Sequence, residues 1–245
     1  MPNLEMLLAF AIVGVYLVDS ARFLSIGDAV VITRRERIRQ VSFGWSFELA
    51  GRRPYLPNPL TPFWPELRIQ WTSSSPADMI KPDVAKSEMF DLLKGTRPIC
   101  WLATLAGFFI VLVAPVVLTV GSEVLFITAA ATAFLLALAA CCMLGARRES
   151  LRLSWLQVIS LTLVTLLCLP CAANLGRAVL MHRCWTLVAS DVPALAFNTN
   201  EGDKISQRVS AFLAAVRRLF PEDTTEYSAL TSQIGLLEKA QRGYR

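Results

Sequence analysis

PICWLATLAGFFIVLVAPVVLTVG, residues 98–121, runs for 24 positions without a charge. At 1.5 Å per residue a helix of that length reaches about 36 Å, more than the roughly 30 Å of a bilayer's hydrocarbon core. The stretch predicts a transmembrane helix. Two more follow, because 124–146 and 153–175 are equally free of charge and are joined to it and to each other by Gly121-Ser122-Glu123 and the basic loop from Arg147 to Arg152.

Toward the amino terminus the apolar run from Met6 to Val18 is only 13 residues long, short for a crossing. Residues 1–5 contain no Lys or Arg and nothing like Ala-x-Ala follows Val18, so the run does not read as a secretory signal. A helix over 4–24, with Asp19 and Arg22 in its last turns, just suffices. The expected fold class is a mainly α membrane protein: a bundle of four transmembrane helices (4–24, 98–121, 124–146, 153–175) with a small β-containing cytoplasmic juxtamembrane domain and a helical-hairpin tail. The corresponding segments are 1–25, 26–97, 98–176 and 177–245. Composition agrees, since 54% of the 245 residues are hydrophobic, 18% are charged and the mean hydropathy is +0.49, whereas soluble domains carry roughly a quarter charged residues. The same balance excludes a disordered chain, and 6 Cys are too sparse for a disulfide scaffold.

Basic residues set the orientation. Residues 20–97 hold twelve Lys/Arg and the 147–152 loop holds three, while 121–123 has none, so the first two are expected in the cytoplasm. Residues 121–123, the amino terminus and, by parity, 177–245 are then expected outside, although Arg177 and Arg183 speak mildly against the last placement. Trp101 and Trp155 sit near the cytoplasmic helix ends, where amphipathic rings favour the headgroup region. The expected location is the inner membrane of a bacterium.

Between the first two spans the hydrophobic period changes. Val41, Phe43, Trp45, Phe47 and Leu49 alternate with Ser42, Gly44, Ser46, Glu48 and Ala50, which predicts a strand with one buried face. Leu67-Arg68-Ile69-Gln70-Trp71 and the run from Ala29 to Ile32 predict two more, covered by Pro82 to Leu93 or by the membrane surface. Pro54, Pro57, Pro59, Pro62 and Pro65 make the intervening connection stiff. Arg34, Arg35, Arg37 and Arg39 cluster between the first two strands. There each contributes about 1 kcal/mol of attraction to anionic lipid, or else only enforces orientation. Eight acidic residues in the same segment and the lack of a recognisable module argue against nucleic acid. In the tail, Ile205, Val209, Phe212, Leu213, Val216, Leu219 and Phe220 recur at helical spacing behind Asp203 as a cap, and a second helix over 225–242 carries Leu230, Ile234 and Leu237.

Chemistry is thinly represented. The three charge-free spans lack the ionisable residues from which proton and ion pathways are built. One histidine, no phosphate loop and no hydrolase motif leave enzyme classes unsupported, and no cofactor is expected. Ala129, Ala133, Ala137, Cys141 and Gly145 put a small residue at every fourth position of the 124–146 helix, a face for close packing within the chain or between copies. Cys168-Leu169-Pro170-Cys171, near the outer end of the 153–175 span, is a dithiol of redox spacing, with Cys184 as the available resolving thiol. A redox role requires that a partner thiol or a quinone reach the pair. Cys168, Cys171, His182 and Cys184 are also zinc-ligand types, but at an unconventional spacing. A helix that continues through Leu169-Pro170 holds the two thiols about 5–6 Å apart at Cβ, farther than a disulfide allows, so an intact helix with separate thiols is expected. The first reading is accordingly a non-enzymatic interaction, scaffold or sensory component whose partners are lipid, other membrane proteins or copies of itself. The second is a membrane thiol-disulfide oxidoreductase using Cys168 and Cys171, and the third an oligomeric pore or membrane-disrupting effector.

Overall fold

A computed structural model describes residues 4–25, 28–34, 37–45, 48–49, 52–59, 61, 64–70, 82–187, 192 and 199–243. It is mostly helical with a small sheet region, and two helices, Asp83–Val120 and Glu123–Ala146, are long and apolar enough to cross a membrane. The chain divides into two compact units. The first comprises Met1–Arg22, Leu56–Pro65 and Leu92–Leu180; the second comprises Phe23–Tyr55, Glu66–Asp91 and Met181–Arg245.

In the first unit, α1 (Leu4–Ser20) is followed along the chain by α2 (Pro82–Gly107), a π-helical segment (Phe108–Val113) and α3 (Ala114–Val120), the last three forming one continuous helix. The π segment precedes Pro115, whose ring crowds the carbonyl four residues back and which has no N–H to give; widening the turn accommodates it. After α4 (Glu123–Ala146), α5 (Trp155–Leu167) opens on a reciprocal cap between Ser154 and Gln157. It closes after 13 residues. A 3₁₀ turn (Leu169–Asn174) and α6 (Leu175–Met181) complete the helical set.

Two close approaches give the direction of this last piece. A Cβ on Gly107 would stand 3.1 Å from Ala173 Cα, and one on Gly176 would stand 3.1 Å from Cys100 Cα. Residue numbers rise on one side as they fall on the other, so the segment 173–176 runs antiparallel to α2. The interior is built from small side chains: Ala106, Ala137 and Ala172 form one cluster, and Ile110, Ala114 and Ala133 another. Large apolar side chains such as Phe10, Leu112, Ile127 and Leu156 point outward, Leu156 with 80% of its surface exposed.

Several boundaries differ from expectation. The first helix ends at Ser20, where the chain enters strand β1 (Arg22–Ser25) instead of continuing to 24. The division at 97/98 falls inside α2, whose helix runs through Pro98. The uninterrupted 153–175 helix does not form, because Pro170 lacks a donor, clashes with the preceding turn and drives its predecessors out of helical geometry; Cys168 has φ −128° and ψ 81°.

In the second unit, β2 (Asp28–Arg34) pairs antiparallel with β3 (Arg37–Ser42) and with β5 (Glu66–Gln70), and β6 (Cys184–Thr186) joins β5 in parallel, giving the order β3-β2-β5-β6. β1 and β4 (Arg52–Tyr55) make a separate two-stranded ribbon. One sheet face, Ala29, Val31, Leu67, Ile69 and Trp185, is fully buried. On the other, Val30 and Ile32 pack with Leu24, Tyr55 and Met181. Helices α7 (Thr199–Arg217) and α8 (Thr225–Gly243) pair as a hairpin, and Phe212 of α7 stacks on Phe43 with ring centroids 4.2 Å apart. α7 thus begins before Asp203, which is not its cap.

Among its described residues, the alternation at 41–50 does not form one continuous strand. Only Val41 and Ser42 belong to β3. Gly44 takes φ 81°, a Cβ there would lie 2.9 Å from Pro54 O, and Trp45 N donates to that carbonyl at 2.7 Å, so the chain turns toward β4. Phe47 and Trp71 lie outside the described residues. The tail also departs from its expected place. A hydrogen-bonded ladder cannot be divided by a bilayer, so β6 and β5 share one side of any membrane, and 177–245 does not lie wholly opposite 20–97.

Candidate functional site

The break after α5 holds the one cysteine constellation that the structure assembles. Cys168 N donates to Val164 O at 3.0 Å and closes the last turn of α5, and Cys171 N donates to Cys168 O at 2.8 Å and opens the 3₁₀ turn. The two residues have Cα atoms 5.3 Å apart and are joined as a disulfide. The expectation of an intact helix with separated thiols is therefore overturned by the same Pro170 that ends the helix. Cys171 is buried, whereas Cys168 stays partly exposed beside Leu167, 84% of whose surface is open.

In a 3₁₀ turn every third residue eclipses, so the row Cys168, Cys171, Asn174 continues toward Arg177 in α6. This row leads into a buried polar network. Asn174 Nδ2 donates to Asp19 Oδ2 and to Ser20 Oγ, both at 2.9 Å, and Ser20 Oγ donates to Tyr16 O at 2.8 Å. Arg177, with 3% of its surface exposed, donates from Nη2 to Asn58 O at 2.9 Å and to Thr61 O at 2.8 Å, and from Nη1 to Asn174 Oδ1 at 3.5 Å. Tyr16 donates its hydroxyl to Pro59 O at 2.7 Å. The Pro-rich segment 56–65 is thereby fastened through its own carbonyls, which proline retains while losing its N–H.

This network is absent from the sequence reading, where Asp19 figured only as a late residue of α1 and Arg177 only as an orientation signal. The available clue was a three-residue period, Cys168-x-x-Cys171-x-x-Asn174-x-x-Arg177, which a search at helical spacing passes over.

The remaining candidates fall elsewhere. Cys184 lies on β6 in the second unit, its Sγ 3.9 Å from Gln70 Oε1. Burial pushes its thiol up to about 11, against the lowering effect of Arg68, so it is a poor nucleophile at neutral pH. Nearby, Arg68 Nη2 donates to the buried Asp28 Oδ2 at 2.6 Å, and Ser25 N donates to the same oxygen at 3.0 Å. His182 is exposed, and no group of three or more metal-ligating side chains occurs among the described residues. Ala129, Ala133, Ala137 and Cys141 are buried, with Ala133 and Ala137 packed inside the chain against α2, α3 and the 3₁₀ turn. A Cβ on Gly145 would meet nothing within 4 Å. Arg34 ends β2 opposite Arg37 of β3, Arg39 lies on β3, and Arg35 is outside the described residues.

No known protein family, characterised protein or solved structure matches this chain.

Proposed function

We propose that this chain is an integral membrane protein with three crossing helices and one re-entrant helical hairpin, and that the Cys168–Cys171 pair at the hairpin's apex is a thiol-disulfide centre. The observation that carries the reading is the disulfide itself, set where α5 ends and the chain turns back. A pair kept only for packing has no need of a helix break that brings its sulfurs together.

Four observations support the topology. Apolar side chains face outward around the first unit while its interior is lined with alanine, the arrangement expected where the surrounding solvent is lipid. The charge-free Gly121-Ser122 turn separates α3 from α4, which return in opposite directions. α5 enters from the side of the 147–152 loop, and the 173–176 segment, antiparallel to α2, leaves toward the side of α2's amino end. Finally, residues 23–55, 66–91 and 181–245 belong to one compact unit, which supports a tail that emerges on the side of β1–β5. Twelve Lys/Arg in 20–97, three in 147–152 and nine in 177–245 then lie on that one side, and these are all 24 of the chain. That side is the cytoplasm by the preference of short basic segments, and Arg34, Arg35, Arg37 and Arg39 supply part of its attraction to anionic lipid.

The chemistry is thiol-disulfide exchange. The reductant is a dithiol held within the bilayer by a membrane partner, which gives two electrons and two protons to the pair: one of its sulfurs bonds to Cys168 as the Cys168–Cys171 bond breaks and Cys171 takes up a proton, and its second sulfur then bonds to the first, which releases the partner as a disulfide and Cys168 as a thiol. Cys168 is the sulfur open to attack, and Cys171 is the buried leaving group.

Two measurements test this. Cysteines introduced at Ser87 and Ser228 should both resist an impermeant maleimide in intact cells and both react after lysis; labelling from opposite sides would restore a fourth full crossing. Differential alkylation of cells grown under oxidising and reducing conditions, read by peptide mapping, should show the pair moving between disulfide and dithiol. A pair locked in one state throughout would return the chain to an interaction or scaffold role.

A further inference from the structure

The depth of the pair decides what can react with it. Along α5, Trp155 and Cys168 are 13 residues apart, about 20 Å of helix. Along α2, Trp101 and Gly107 are six residues apart; Ala173 lies against Gly107, and Cys171 is two residues farther along a 3₁₀ turn, together about 13 Å. Both tryptophans are largely exposed and mark the headgroup level on the two flanking helices. The two routes agree in setting the pair between a third and two thirds of the way through a core of roughly 30 Å.

At that depth charged thiols and protein cysteines arriving from water are excluded, because a charged group in the hydrocarbon is costly. The flanking surface is also apolar. Leu163, Val164 and Leu167 of α5 are exposed around the partly open Cys168, while Leu169 plugs the interior side between the alanine clusters. In the proposed topology the partly exposed Cys168 is reached from the lipid, across this apolar surface.

We infer, resting on the thiol-disulfide reading above, that the oxidant of the reduced pair is a two-electron carrier dissolved in the bilayer, of the quinone class. The reaction balances within the lipid phase. The two S–H bonds break, the Cys168–Cys171 S–S bond forms, two electrons pass to the quinone, and its two carbonyl oxygens take up the two protons as hydroquinone. No ion has to leave the hydrocarbon. The buried Asn174, Asp19 and Arg177 network lies on the cytoplasmic side of the pair and ties its segment to α1 and to residues 56–65, which holds Cys168 at this level.

The test uses the full chain in lipid nanodiscs. The pair is reduced with uncharged dithiothreitol, which is then removed under anaerobic conditions. One sample receives a fully ring-substituted decyl benzoquinone, which cannot retain a thiol adduct, and another receives glutathione disulfide at the same total concentration. Reoxidation is followed by quenching with an alkylating reagent and mapping the 168–171 peptide, and hydroquinone is measured in parallel. The expected result is reoxidation by the quinone faster by on the order of a hundredfold, with one hydroquinone per disulfide and a rate that scales with the quinone-to-lipid ratio. Equal rates, or faster oxidation by glutathione disulfide, would overturn the lipid-phase inference and leave the thiol-disulfide centre standing. A pair that dithiothreitol never opens, or that neither reagent closes, would overturn both.

Discussion

The two units of this molecule differ in what fills their interiors and in what faces outward. In the sheet unit the largest side chains are inside, with Trp185, Leu67, Ile69 and Met89 sealed and the helical hairpin presenting charge to the surroundings. In the helical unit alanines fill the closest helix contacts, with Ile99, Leu144 and Leu180 also buried, while many large apolar side chains are turned out. Water selects the first arrangement through the hydrophobic effect. Where lipid tails surround the protein that drive is absent between helices, and close backbone approach takes over. The same chain therefore carries two definitions of a core.

Substitutions that exchange the two definitions should show it. Trp185→Ala, in the sheet core, is expected to cost about 3–5 kcal/mol, read as a large drop in the cooperative unfolding midpoint of the detergent-solubilised chain. Asn174→Ala leaves the partly buried Asp19 carboxylate and the buried Ser20 hydroxyl without their shared donor, and about 1–3 kcal/mol should be lost by the same assay. Ala137→Leu forces a branched side chain between Ala106 and Ala172, for a cost of about 1–3 kcal/mol, while the opposite change on the outward face, Leu135→Ala, should stay within about 0.5 kcal/mol. Equal costs for Ala137→Leu and Leu135→Ala would erase the distinction between the units. The smallest effect is chemical. With its thiol pushed up to about 11, Cys184 should alkylate slowly at pH 8 and accelerate about tenfold per pH unit toward that value. Fast labelling at neutral pH would mean that the sheet unit is looser than its sealed core implies.

The long uncharged runs were legible because composition alone decides them: 124–146 coincides with α4 to within a residue, and 98–121 ends within a residue of α3, although its helix begins well before it, at Pro82. Less legible was anything that depended on who covers whom. The alternation through Phe43 to Leu49 imitates a strand, yet Phe43 is held by Phe212 of a helix 169 positions later, and Gly44 turns the chain away. β6 is three residues long, too short to carry a periodicity, and acquires its identity only by pairing with β5. At the candidate site the dithiol spacing was visible and its state was not. Whether Pro170 merely bends a helix or ends it depends on whether the following segment finds partners, and it does so through Gly107, Gly176, Asp19 and Ser20. Those contacts join residues as much as 155 positions apart.

The parallel pairing of β6 with β5 also has a meaning for how the protein is made. Gln70 and Cys184 are 114 positions apart, and at about 5–20 residues per second the ribosome needs roughly 6–23 seconds to supply the last strand after the strand it joins. During that interval β5 has an open edge, a template for unwanted pairing. What lies between them in the chain is α2 to α6, so in the proposed topology the strand that closes the edge arrives only after those helices have entered the bilayer and the hairpin has turned back. Completion of the sheet thus reports on insertion. Under the proposed topology, a chain whose helices stall or enter in the wrong sense keeps an unpaired strand exposed, where proteolytic surveillance can recognise it.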